Sequence, residues 1–215
     1  MQIAIIGAGR VGTGLAHRFT DLGHSIAFGV RDPERDGPRL AEIFPAAEVL
    51  TPRDAAGRSD VVVLAVPWAA AREAVTSLGD LGGRILVDAT NPVGSAVPDT
   101  DPAFPSGAEA IARWATGARV VKAFNTIGAQ NYADLDFEGT RAMGLICGDD
   151  DDARHTVMEL AASIGFDVVD LGPLANASLA EAAAKLWITL AYQRGLGPDF
   201  GIGLLRRKRT GPASG

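Results

Sequence analysis

Cysteine is nearly absent from this 215-residue chain: Cys147 stands alone, which excludes an internal disulfide framework and gives no sign of an oxidising compartment. It sits in the apolar run 143–147, so it reads as a buried, inert thiol rather than a nucleophile. No apolar run approaches the ~20 residues of a membrane span. The first apolar run follows no charged segment and is soon broken by glycines, so no secretory leader is expected. Cytoplasmic residence is the resulting expectation. Positive charge is scarce too: 20 Lys and Arg against 26 Asp and Glu leave a net charge of −6, which argues against a nucleic-acid binder with a basic face. Histidine is rare, and His17, His24 and His155 lack metal-ligand spacing, so no metal site is expected.

What is present is a soluble globular composition with an alternating pattern. Short β-branched runs at 2–6, 25–29, 61–66, 84–88, 119–122, 142–147 and 167–170, with a weaker one at 48–50, are candidate strands. Between them lie alanine-rich segments, with helices expected to begin near Arg10, Pro38, Pro52, Ala69, Ser106, Asp151 and Asn176. This predicts an α/β, Rossmann-type doubly wound, mainly parallel sheet. Ser106 and Glu109 form a capping-box pair, and the four carboxylates of 149–152 suit a positive helix start better than a metal. Four prolines make 91–105 a long loop, and such a loop is more often functional than idle. The expected domains are a dinucleotide-binding unit over 1–172, a short helical extension over 173–205 that closes the cleft, and a disordered basic tail over 206–215.

The first strand runs into Gly7-Ala8-Gly9-Arg10-Val11-Gly12 and then into an amphipathic helix. A bare G-x-G-x-x-G is a weak match, but between a strand and a helix, with a second strand soon after, it is a strong one. Gly7 permits the tight turn, Gly9 lets backbone approach a pyrophosphate, and Gly12 lets helix pack on strand. The second strand ends in Gly29-Val30-Arg31-Asp32-Pro33. An acidic residue here would bind the ribose hydroxyls of NAD, whereas arginine suits the extra phosphate of NADP. Asp32 precedes proline and reads as a turn or N-cap residue. Arg31, with Arg35 as a second positive charge, therefore favours NADP.

In open α/β sheets the ligand lies beyond the carboxyl ends of the strands. Those ends carry Val66-Pro67-Trp68, Asn91-Pro92, Lys122 through Asn125-Thr126-Ile127, and Leu171 through Asn176. Four such clusters outline an expected pocket. Lys122 is read as bonding a ribose, a phosphate or an acceptor ring, with a solvent-exposed strand end as the alternative. Asn91 and Asn125 are candidates to hold a carboxamide or a ring edge.

These segments, with Cys147-Gly148-Asp149-Asp150 and Leu171-Gly172-Pro173-Leu174, resemble the NADPH-dependent coenzyme F420 reductase family over nearly the whole chain. They are also similar to the cytosolic oxidoreductase domain of six-transmembrane ferric reductases. The resemblance implies hydride exchange between NADPH and coenzyme F420 or a flavin (FMN or FAD), with the two rings stacked. It places Arg31 at the 2′-phosphate, Pro67, Trp68, Asn125, Thr126 and Ile127 along the ring cleft, and the segment around Asn176 as its closure. Asn125 and Val30 depart from the histidine and serine of archaeal members. Such chemistry is carried by the cofactors, so no acid–base residue is expected from the protein.

Two other readings stay open at this level: a carbonyl- or imine-reducing dehydrogenase, and a non-catalytic NADP-binding redox sensor. Leu179, Leu186, Ile188 and Leu190 on the helix over 176–194 fit burial in a homodimer or within one subunit.

Overall fold

The computed structural model describes residues 1–93 and 105–207. The chain alternates β1 (Gln2–Ile6), α1 (Arg10–Asp21), β2 (Ser25–Gly29), α2 (Pro33–Ile43), β3 (Glu48–Leu50), α3 (Pro52–Gly57), β4 (Val61–Leu64), α4 (Trp68–Leu78), β5 (Ile85–Asp88), α5 (Gly107–Trp114) and β6 (Arg119–Lys122). A 3₁₀ turn (Ala129–Ala133) and a tight hairpin, β7 (Asp136–Phe137) with β8 (Thr140–Arg141), lead to β9 (Met143–Gly148). Then come α6 (Asp151–Ser163), β10 (Asp167–Asp170) and α7 (Ala177–Ile188), which ends in a π-helical turn. Among the described residues no helix is long and apolar enough to cross a membrane.

Eight strands form one sheet in the order β3-β2-β1-β4-β5-β6-β9-β10. The first six are mutually parallel. Strands β4 and β5 are buried along their whole length because helices cover both faces of the sheet. Ile3, Ile5, Val61 and Val63 point to the layer of α1, α2 and α6, where Leu15, Phe19, Leu40 and Val157 meet them. Ala4, Ile6, Val62 and Leu64 point to the layer of α3, α4, α5 and α7, against Ala56, Val75, Ile111 and Ala177. Each fully buried Val, Leu or Ile contributes about 1.5–3 kcal/mol.

The direction of the last two strands differs from the sequence expectation of a shared carboxyl edge. Strand β9 pairs antiparallel to β6, with Lys122 opposite Cys147, and β10 runs parallel to β9. The link from β6 to β9 holds only a 3₁₀ turn and a hairpin, with no crossover helix to return the chain to its starting edge. Strands β9 and β10 therefore run in the direction opposite to the other six.

Helix α2 begins at Pro33, not near Pro38. Asp32 caps it by accepting from the Arg35 amide at 3.0 Å, Pro33 occupies the first turn, and Pro38 lies inside. Asp150 caps α6, and Ser106 caps α5 with its hydroxyl bonded to Glu109. The loop expected over 91–105 falls largely outside the described residues, as do 208–215 of the expected tail. Arg206 is ion-paired with Asp167.

Candidate functional site

The sheet reverses its winding between β1 and β4, and a cleft of about 560 Å³ opens there, within the range that holds small-molecule cofactors. Its floor is the glycine turn. Gly7 has φ +103°, and a Cβ there would stand 2.6 Å from the Ala65 carbonyl oxygen, so only glycine fits. A side chain on Gly12 would collide with the Gly7 carbonyl, which lets α1 sit directly on β1. Helix α1 differs from α2, α3, α5 and α6 in having neither a side-chain cap nor an acidic residue in its first turn. Its first N–H groups are thus open to an anion. Around Gly9 a Cβ would meet nothing within 4 Å, so the space above the turn is open. These observations fit a dinucleotide.

At one end of the cleft stand Arg31, Arg35 and Arg39 with Asp36. Arg35 is engaged with Asp36 through two 3.1 Å bonds, and this pairing holds the Asp36 carboxyl below the usual carboxylate range. Arg39 reaches back to the Ala8 carbonyl at 3.4 Å. The sequence reading missed Arg39, because a helix begun at Pro38 separates it from Arg35. With α2 starting at Pro33, the two stand four residues apart on one face. Asp32 is occupied as the α2 cap.

The structure brings Gly7, Ala8, Gly9, Val30, Arg31, Arg35, Val66 and Pro67 together around this cleft. Arg10 is exposed at the start of α1, while Val11 packs on the core. The second group gathers at the ends of β5 and β6. Asn91 donates to the Asn125 carbonyl (2.9 Å), and Asn125 donates back to the Asn91 side-chain oxygen (2.9 Å) and to Ala180 of α7 (3.1 Å). Both amide hydrogens of Asn125 are thereby used, and its buried Oδ1 has no hydrogen-bond partner among the described residues. Pro92 is half-buried beside this pair.

Other candidates stand elsewhere. Lys122 lies inside the fold, fully buried, rather than at a ligand-facing strand end. Its ammonium bonds Asp88 (2.9 Å) and the Thr90 carbonyl, with Glu181 of α7 at 3.4 Å. The expected direct contact of Lys122 with ribose, phosphate or ring is corrected accordingly: its donors are spent on the scaffold. Glu181 also accepts from the Gly107 and Ala108 amides (both 3.1 Å), so this cluster clamps α7 to the start of α5. Trp68 packs toward α5, next to Gly107 and 5.8 Å from the Trp114 ring. Thr126 gives its hydroxyl to the Met143 carbonyl, and Ile127 is a core residue. Asn176 stands immediately before α7, where its amide bonds the Leu171 carbonyl.

Cys147 is buried, and desolvation pushes its thiol up to about 12, so it is unreactive. Asp149 accepts from the Leu174 amide and Asp151 pairs with Arg154, so the acidic run is engaged structurally.

Fold and cleft define a Rossmann-type dinucleotide-binding protein. Residues 2–92 match the family model described as NADP oxidoreductase, coenzyme F420-dependent. The chain is 36% identical over 207 residues to the F420-dependent NADP reductase of Methanothermobacter thermautotrophicus, covering 88% of this chain and 89% of that one. It is 35% identical over 182 residues to the rat Metalloreductase STEAP3, covering 84% of this chain but spanning only 36% of the metalloreductase. The crystal structure of a provisionally named F420-dependent NADP-reductase from Arthrobacter sp. FB24 superimposes with a TM-score of 0.85 at 31% identity, covering 96% of this chain and 100% of that one. The chain belongs to the family of F420-dependent NADP oxidoreductases, whose nicotinamide cofactor is NADP(H).

Proposed function

We propose that this protein transfers hydride between NADPH and coenzyme F420 or a flavin. The carrying observation is the cleft itself: an uncapped α1 start at one point, and Arg31 with Arg39 at another where Asp32 has been turned into a helix cap. Gly7 through Gly12 would seat the pyrophosphate on the α1 amides. Arg31, assisted by Arg39, would hold the 2′-phosphate; Arg35 is less available because Asp36 holds it. Val30, Val66 and Pro67 would line the adenosine side. The Asn91–Asn125 pair and Pro92 would form the polar edge of the ring side.

When bound, the nicotinamide supplies a hydride that a flavin-like ring takes up, with a proton from water completing the balance. The protein's part is to hold the two rings at reacting distance and exclude water. Homodimerisation belongs to the same proposal. Leu179 and Leu186, seven residues apart on α7, are 57% and 53% exposed, and a second copy would cover them. Sedimentation equilibrium at a single-chain mass would remove that part.

The test is NADPH oxidation with F420, FMN, FAD and riboflavin as parallel acceptors and NADH as control. Turnover with F420 alone selects the deazaflavin, turnover with flavins alone selects the flavin, and silence with all four refutes the proposal. In Arg31→Ala the KM for NADPH is expected to rise about 10- to 100-fold, as for loss of a charged hydrogen bond. The KM for NADH should hardly move, and an unchanged preference would remove the phosphate role.

A further inference from the structure

Beyond β6 the backbone adopts a conformation that its residue disfavours. Phe124 has φ +60°, the left-handed region, which a bulky side chain rarely enters. Among the described residues the other non-glycine of this kind is Glu138, in the two-residue turn between β7 and β8, where such angles are ordinary. Phe124 has no hairpin to explain it. Its ring is fixed by burial and stands 6.0 Å from Phe19 and 6.2 Å from Phe166. Its carbonyl accepts a short hydrogen bond from the Tyr132 hydroxyl.

Tyr132 is itself fully enclosed, in the 3₁₀ turn that follows. Burial pushes its phenol well above the ordinary tyrosine range, so the hydroxyl remains a donor. The ring lies against α1 at Gly14, where a Cβ would come within 2.9 Å of it. Strain of this sort persists only where surroundings impose it, and it gathers at functional sites. The residue delivered by the strained turn is Asn125, locked reciprocally to Asn91 across the ends of β5 and β6.

We propose that Tyr132 is a positioning residue for the ring side of the cleft. Its hydroxyl holds Phe124 in the left-handed conformation, which presents Asn125 to Asn91, and its ring links that geometry to the cofactor helix through Gly14. The kinetic part of its test rests on the hydride-transfer reading above; the spectroscopic part does not.

The variant is Tyr132→Phe, which keeps the ring and removes the hydroxyl, with Leu81→Ala, in the core on the other face of the sheet, as a control for general destabilisation. In Tyr132→Phe the kcat for NADPH oxidation should fall about tenfold, the scale expected when reacting groups are slightly misplaced. The KM for NADPH should change less than about twofold, because the phosphate contacts lie at the other end of the cleft. The side-chain amide resonances of Asn91 and Asn125 should shift or broaden in Tyr132→Phe and not in Leu81→Ala. Wild-type kcat with unmoved amide resonances overturns the proposal and leaves Tyr132 as core filling. If the wild-type protein oxidises NADPH with none of the acceptors, the hydride reading fails on its own. The amide resonances then decide for or against Tyr132.

Discussion

Gly9→Ala should separate cofactor binding from folding. Gly9 has φ −80° and ψ −173°, angles that alanine adopts without strain, and a Cβ there meets no protein atom within 4 Å. The folded state therefore loses nothing, while the unfolded chain loses freedom. A gain of about 0.4–1 kcal/mol follows, which for a chain of this size raises Tm by about 1–4 °C. The same methyl group stands in the space through which a pyrophosphate must approach the α1 amides. Losing one charged hydrogen bond there costs about 1.5–3 kcal/mol, or roughly a 10- to 150-fold rise in Kd for NADPH. Thermal unfolding without ligand and titration of NADPH fluorescence measure the two quantities on one sample. Gly12→Ala is the contrast: its methyl group collides with the Gly7 carbonyl, so it should lower Tm as well as affinity. Wild-type NADPH affinity in Gly9→Ala would refute the seating of the pyrophosphate on this turn.

Two further outcomes are expected. Lys122→Met leaves Asp88 and Glu181 buried without their cation, so unfolding in urea should show a loss of about 3–5 kcal/mol, whereas a loss under 1 kcal/mol would mean that the cluster is dispensable. Cys147, with its thiol raised to about 12, should resist alkylation at pH 8 until the protein is unfolded; rapid modification of the native protein would contradict its burial.

The nucleotide end of the cleft is legible in the sequence because its determinants are local. The glycine spacing, the strand before it and Arg31 lie within the first 31 residues, and all act through backbone geometry or charge that a linear reading can weigh. Arg39 escaped because its place depends on where α2 begins, and Gly37-Pro38 resembles a helix start more than it resembles the interior it occupies. Periodicity located β9 and β10 but carries no sign of direction, so the reversal of these two strands was not legible. Lys122 was singled out for its position, but its partners Asp88 and Glu181 lie 34 and 59 residues away and no pattern ties them to it. The left-handed turn at Phe124 is invisible in sequence because a bulky residue rarely adopts that conformation.

The reversal of β9 and β10 also orders events in time. The proposed pyrophosphate and 2′-phosphate seats draw on β1 through α4, the part of the chain that leaves the ribosome first. The ring side is fastened by α7, through Ala180 to Asn125 and Glu181 to Gly107, pairings that span 55 and 74 residues. At ordinary elongation rates α7 arrives on the order of ten seconds later. During that interval the proposed phosphate seats would stand without a finished ring side, so NADPH captured there could not yet react.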